Sequence, residues 1–177
     1  MTSYSICRPD SDDPDDVRHA RLETFIMGAA RCLLSSRTEV LTPDTDHHDD
    51  TETVYAEAEW WHSAREGWEL DALAPDDRKI FSEACEWFVT GHWADLDTLT
   101  AEIVEHGGEW GRSLGWAWYR AGMLFVYNTN SEGIGFWEYG DAGRRLADAV
   151  QESDTEISAF CYDQDAYPGV ETYVHLN

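Results

Sequence analysis

Carboxylates are the residues of this sequence with the most capacity for chemistry, and their spacing argues for a surface rather than for a reaction. Glu52, Glu57, Glu59, Glu66, Glu69, Asp71, Asp76 and Asp77 fall within twenty-six positions that hold one opposing cation, Arg65. A pair such as Asp76 and Asp77 can in principle divide general acid and base roles, but among 36 Asp and Glu residues such neighbours arise by number alone. B-DNA carries one negative charge per ~1.7 Å of duplex axis on a stiff surface. Carboxylates on helices imitate that pattern, with interleaved aromatic residues such as Trp60, Trp61 and Trp68 holding the scaffold.

Other reactive side chains form no constellation. Asp44, Asp46, His47, His48, Asp49 and Asp50 include imidazole and carboxylate ligands. Adjacent residues of an extended loop cannot all point at one ion, so the run is expected to be solvated and no metal site is assigned. No Gly-x-Ser-x-Gly, His-Glu-x-x-His or phosphate-cradling glycine loop is present, and Cys85 falls on an apolar helix face. His19, His62, His92, His106 and His175 are isolated. The expectation is a protein with no catalytic residues and no cofactor.

The charge balance is extreme. Twelve Lys and Arg against 36 Asp and Glu give a net charge of −24, and the cations are 11 Arg with Lys79 alone. Such a field repels nucleic-acid phosphates and anionic headgroups, which argues against direct nucleic-acid or membrane binding and for a basic protein partner. An Asp-rich, Lys-poor composition also suits a salt-rich cytoplasm, so a salt-adapted acidic cytoplasmic accessory or protein-interaction domain with no DNA mimicry stands as the alternative. No run approaches the ~20 apolar residues of a membrane span, and the acidic N-terminus lacks the features of a signal peptide, so a cytoplasmic setting is expected. Cys7, Cys32, Cys85 and Cys161 lie far apart, as small buried residues would rather than as a disulfide or zinc framework.

The elements that must position these residues are read from periodicity. Over 15–35, Val17, Arg21, Leu22, Phe25, Ile26, Ala29, Ala30, Leu33 and Leu34 recur at helical spacing after a Pro14 entry. Residues 38–53 lose the pattern and read as an acidic exposed loop, and 54–68 are compatible with an amphipathic helix. Leu73-Ala74-Pro75-Asp76-Asp77 opens a helix whose stripe is Ile80, Phe81, Ala84, Cys85, Trp87 and Phe88 before Gly91. Another follows from Asp95 through Leu96, Leu99, Ile103 and Val104 to Gly107-Gly108. Met123-Leu124-Phe125-Val126-Tyr127 reads as a strand, the polar residues from Asn128 to Gly133 as a turn, and 134–139 as a returning strand. Phe136 and Trp137 are expected in the core, with a stacking surface for a ligand as the alternative, and Trp116 and Trp118 are read in the same way. A short helix over 140–151 precedes alternating segments at 156–162 and 170–175 that pair as a hairpin. The predicted fold class is α+β: a helical N-terminal two-thirds with a small antiparallel β-sheet in the C-terminal third. A single domain over 1–177 is expected, with 1–14 as an acidic N-terminal segment.

Ala121-Gly122, Phe125, Asn130, Gly133, Gly135, Phe136, Trp137 and Glu138 resemble the shared pattern of a family of small phage and mobile-element proteins. That pattern runs Ala-Gly, an aromatic strand, an Asn-Gly-His-Gly turn and Gly-Phe-Trp-Asp. Weaker likeness extends to 15–35, 73–88 and the C-terminal region, whereas 38–68 and about 105–120 look like additions. Met123 and Glu132 stand where the family often has His, and Thr129 where it has Arg, so the resemblance implies a mobile-element setting rather than an activity. Charge and setting together point to an acidic inhibitor of a host defence system, CRISPR-type or restriction. It would mimic DNA and occupy the basic DNA-binding surface of a nuclease or surveillance complex through Glu52, Glu57, Glu59, Glu66, Glu69, Asp71, Asp76 and Asp77.

Overall fold

The computed structural model describes residues 14–36, 38–41, 69–106, 113–129, 134–153, 157–162 and 173–176. These residues are mostly helical. Helix α1 (Pro14–Ser36) is followed by the strand β1 (Thr38–Leu41), a 3-10 turn (Glu69–Ala72), and helices α2 (Pro75–Gly91), α3 (Trp93–His106) and α4 (Leu114–Thr129). A second 3-10 turn (Phe136–Glu138) leads into α5 (Gly140–Glu152), and two short strands follow, β2 (Ala159–Tyr162) and β3 (His175–Leu176).

The three- and four-residue spacing of α1 does what it predicts: Phe25, Ala29, Ala30, Leu33 and Leu34 are buried in one stripe. That stripe lies against α4 in the most extensive helix contact of the fold. Two glycines set how closely the helices approach. A Cβ on Gly28 would sit 1.8 Å from the carbonyl oxygen of Tyr119, and one on Gly122 would sit 1.9 Å from that of Phe25. Backbone therefore meets backbone at this crossing, where any side chain would force the helices apart.

Four phenylalanines from separate elements close the core. Phe88 of α2 lies 4.5 Å from Phe125 of α4, 6.2 Å from Phe25 of α1 and 5.9 Å from Phe136, ring centre to ring centre. These separations suit offset or tilted aromatic packing. Leu96, Leu99 and Ile103 of α3 and Leu146 and Val150 of α5 complete the interior.

Over 123–139 the fold departs from the sequence expectation. The run from Met123 to Tyr127 is the second half of α4 rather than a strand, and Asn128 and Thr129 close the helix rather than opening a turn. Helix α4 packs against α1, α3 and α5, so residues on most of its circumference are buried, and an all-round apolar helix is locally indistinguishable from a buried strand. The expected returning strand contains the 3-10 turn Phe136–Glu138, so no hairpin forms there.

The expected antiparallel sheet is also not what forms. Instead β1 pairs in parallel with β2, Thr38 opposite Ala159 through Leu41 opposite Tyr162, and β3 adds two antiparallel residue pairs at the far edge of β2. Residues 38–41, expected in the exposed loop, are thus a strand whose partner lies most of the chain away. The remainder of that loop, the expected helix over 54–68 and the 1–13 segment lie outside the described residues.

Among the aromatic residues expected in the core, Phe136 and Trp118 are fully buried and Trp116 is half-buried on Tyr119. Trp137 instead reaches the surface, its ring folded over Gly135. No helix of the described residues is long and apolar enough to cross a membrane.

Candidate partner-binding surface

Helix α2, with the 3-10 turn that precedes it, carries the described part of the expected acidic surface. Its chain begins Pro75-Asp76-Asp77, placing a residue without an N–H in the first turn and two carboxylates near the positive helix end, where no side chain caps the unpaired amides. Inward, Phe81, Cys85, Phe88 and Val89 are buried. At about 100° per residue, Asp76, Ile80, Glu83, Trp87 and Thr90 follow one another along the outward side. Ile80 is 57% and Trp87 63% exposed, so neither belongs to the buried stripe assigned to them from sequence.

The expected contact residues divide into distinct roles. Asp71 is tied to Arg78, whose Nη1 lies 2.5 Å from Asp71 Oδ1 and whose Nη2 donates to the carbonyls of Asp71 and Leu73. That guanidinium straps the first 3-10 turn onto α2. Asp77 Oδ2 lies 3.1 Å from His175 Nδ1, beside backbone hydrogen bonds that join Val174 to Ala72 and Ala74. Asp71 and Asp77 therefore hold the C-terminal strand and the turn against α2, which leaves them less available to a partner. Asp76 is exposed and has no cationic partner among the described residues. Glu69 begins the 3-10 turn, while Glu52, Glu57, Glu59 and Glu66 lie outside the described residues, as does the 44–50 acid and histidine run.

Arg18, Arg21, Arg78, Lys79, Arg120, Arg144 and Arg145 each contact a side chain of the fold. Arg21 Nη1 lies 2.8 Å from Asp97. Arg145 donates from both Nε and Nη2 to Asp95, an arrangement that raises its pKa further. Arg144 pairs with Asp141, Lys79 lies 3.9 Å from Glu83, Arg18 stacks on Trp93, and Arg120 donates to the hydroxyl of Tyr139 at 2.7 Å. Asp76, Glu86, Glu105, Asp148 and Glu152 remain exposed with no cation beside them among the described residues. These surface pairs contribute little stability individually. Their consequence is electrostatic: Arg21, Arg78, Lys79, Arg144 and Arg145 each offset one neighbouring acid, while Arg18 and Arg120 lie on aromatic side chains.

Glu83 and Glu86 are further exposed carboxylates of this face, and Ile80 and Trp87 are exposed apolar residues on it, none of them expected there from the sequence. The signal was present in their seven-residue separation, which defines a stripe about a third of a turn away from Phe81 and Phe88. Glu83, Glu86, Trp87, Thr90 and Gly91 line a shallow open depression of about 420 Å³. Among the described residues no cluster of three His, Cys, Asp or Glu side chains is arranged to hold a metal ion. Cys32 and Cys85 are buried, and burial pushes the Cys85 pKa well above its ordinary value, the opposite of what a nucleophile requires. No protein-family model, curated protein or solved structure matches the chain.

Proposed function

We propose that this chain is a non-catalytic acidic inhibitor that takes the place of DNA in the basic groove of a host defence nuclease or surveillance complex. The observation that carries the reading is the pairing of Arg21, Arg78 and Arg145 with acids of the fold in a protein of net charge −24, which leaves other acids such as Asp76 and Glu86 with no cation beside them among the described residues. Acidic faces such as that of α2 are left to act outward, as the phosphates of a duplex do, and a basic groove that binds them releases its own counterions. The resemblance of 121–139 to phage and mobile-element proteins supplies the setting in which such an inhibitor is useful.

Salt adaptation is the competing reading, favoured by the presence of Lys79 as the only lysine. Adaptation to a saline solvent gives no reason to place Ile80 and Trp87 on an acidic outer helix face, whereas binding does. The two readings separate in a retention experiment. Immobilised full chain is incubated with lysate of a host expressing its defence nucleases and effector complexes, with and without excess duplex DNA. Retention of a nuclease or effector that duplex DNA releases is the expected result. Retention of acidic or metabolic proteins alone, indifferent to DNA, contradicts the proposal.

A further inference from the structure

Trp87 is the most exposed of the large apolar side chains in the described residues, and it stands in the interior of a regular helix rather than at a chain end. Long side chains on a helix lean toward its N-terminus, which carries the indole back over the turn that bears Glu83. Glu86 precedes it, and Thr90 and Gly91 complete the lining of the depression. No side chain at Gly91 crowds the depression, since nothing lies within 4 Å of where its Cβ would stand. Trp87 makes no ring stacking or cation contact with any described residue. Among the described residues Glu83 is held only by exposed Lys79 at 3.9 Å, a contact that a better donor displaces.

An indole face bordered by two carboxylates selects among possible occupants. Phosphates and anionic headgroups are repelled by Glu83 and Glu86, and a wholly apolar segment would strip water from both carboxylates without pairing them. A guanidinium satisfies every group at once. Its flat face covers the indole while its edge N–H groups donate to the carboxylates, a combination that the compact ammonium of lysine does not reproduce. We infer that Trp87, Glu83 and Glu86 form an arginine-binding anchor for a basic protein partner, with Ile80 receiving the aliphatic part of the same segment. The inference rests on the reading of the chain as a binder of basic protein surfaces and identifies the side chain it grips.

The test uses the full chain and two synthetic helical peptides of one length and charge, one bearing arginine and the other lysine. Binding is followed through the indole N–H resonances of the tryptophan-labelled protein, with that of Trp87 identified by its absence in Trp87→Phe. The arginine peptide is expected to shift the Trp87 resonance and to bind several-fold more tightly than the lysine peptide. Trp87→Ala should weaken binding about tenfold at an unchanged melting temperature, and Glu83→Gln with Glu86→Gln should weaken it and flatten its salt dependence. Equal affinity of Trp87→Ala and parent for the arginine peptide overturns the anchor. So does a parent that sediments as a dimer, a monomeric Trp87→Ala and no peptide affinity, which would give the face to a second copy of the chain. Failure of the anchor is distinguishable from failure of the inhibitory function. If Trp87→Ala displaces DNA from its target as well as the parent does, the anchor alone is wrong. If the parent displaces no DNA yet grips arginine through Trp87, the DNA-mimic reading alone is wrong.

Discussion

The side-chain oxygen of Asn128 accepts a hydrogen bond from the backbone amide of Phe136 at 2.6 Å, inside the protein. This contact joins the end of α4 to the 3-10 turn and fixes the depth at which Phe136 enters the aromatic core beside Phe88. The amide has lost its water on folding and has no backbone acceptor in its own turn, so the Asn128 side chain supplies what secondary structure does not.

Asn128→Ala should therefore destabilise by about 1–3 kcal/mol, the penalty of a buried N–H left without a partner. Urea unfolding checks it. The midpoint should fall with little change in slope, because the surface exposed on unfolding is almost the same.

The crossing of α1 and α4 makes a second expectation. Gly28→Ala places a methyl group 1.8 Å from the Tyr119 carbonyl oxygen, closer than any non-bonded approach, and the backbone on the other side cannot rotate away. The variant should lose several kcal/mol or fail to accumulate as folded protein. Gly91→Ala is the matched control: it lies in a helix with open space around it, so thermal melts should show it neutral or up to about 1 kcal/mol more stable.

How far each helix is legible in the sequence depends on how many of its sides are covered. Helices α1, α2, α3 and α5 each bury one side and expose the other, so their three- and four-residue spacing announces them. Helix α4 is covered on several sides, and its Phe125-Val126-Tyr127 run carries strand-favouring residue types, so local pattern and true conformation disagree. Strand β1 depends on pairing with β2, a partner no local signal identifies. The acidity of the candidate surface could be read directly, but which acids are free could not. Asp71 and Asp77 are distinguished from Asp76 by Arg78 and His175, the latter brought to α2 from the C-terminal strand.

Cys85 gives a pH dependence with a definite sign. Its folded pKa lies above the ordinary thiol value of 9.0 because burial disfavours the thiolate. Below pH 9.0 the thiol is neutral in both states and its contribution is fully present; above it the unfolded chain ionises first, so stability is lost as pH rises toward the folded value. Unfolding midpoints from pH 8 to 10.5 should fall more steeply for the parent than for Cys85→Ala, by roughly 1 kcal/mol per pH unit above the ordinary thiol value. The native thiol should also resist alkylation until the protein unfolds. Parallel pH profiles for parent and variant would contradict this.

The salt response of the fold separates binding from solvent adaptation. If the acids serve a partner, the melting temperature should hold at modest ionic strength while complex formation weakens as salt rises. Melts across a salt series that show unfolding at ordinary laboratory salt would instead assign the carboxylates to a saline environment.

Displacement of DNA from a defence complex tests the central claim most directly. A labelled duplex is bound to a host restriction nuclease or CRISPR-type effector, and its fluorescence anisotropy is followed as the full chain is added. The expected result is a fall to the value of free duplex, with a potency that weakens as salt is raised and that is largely lost when Glu52→Lys, Glu57→Lys, Glu59→Lys and Glu66→Lys are combined in a folded variant. An anisotropy that stays at the bound value, or rises as the chain joins the DNA complex, would contradict the account, as would full potency in the charge-reversed protein.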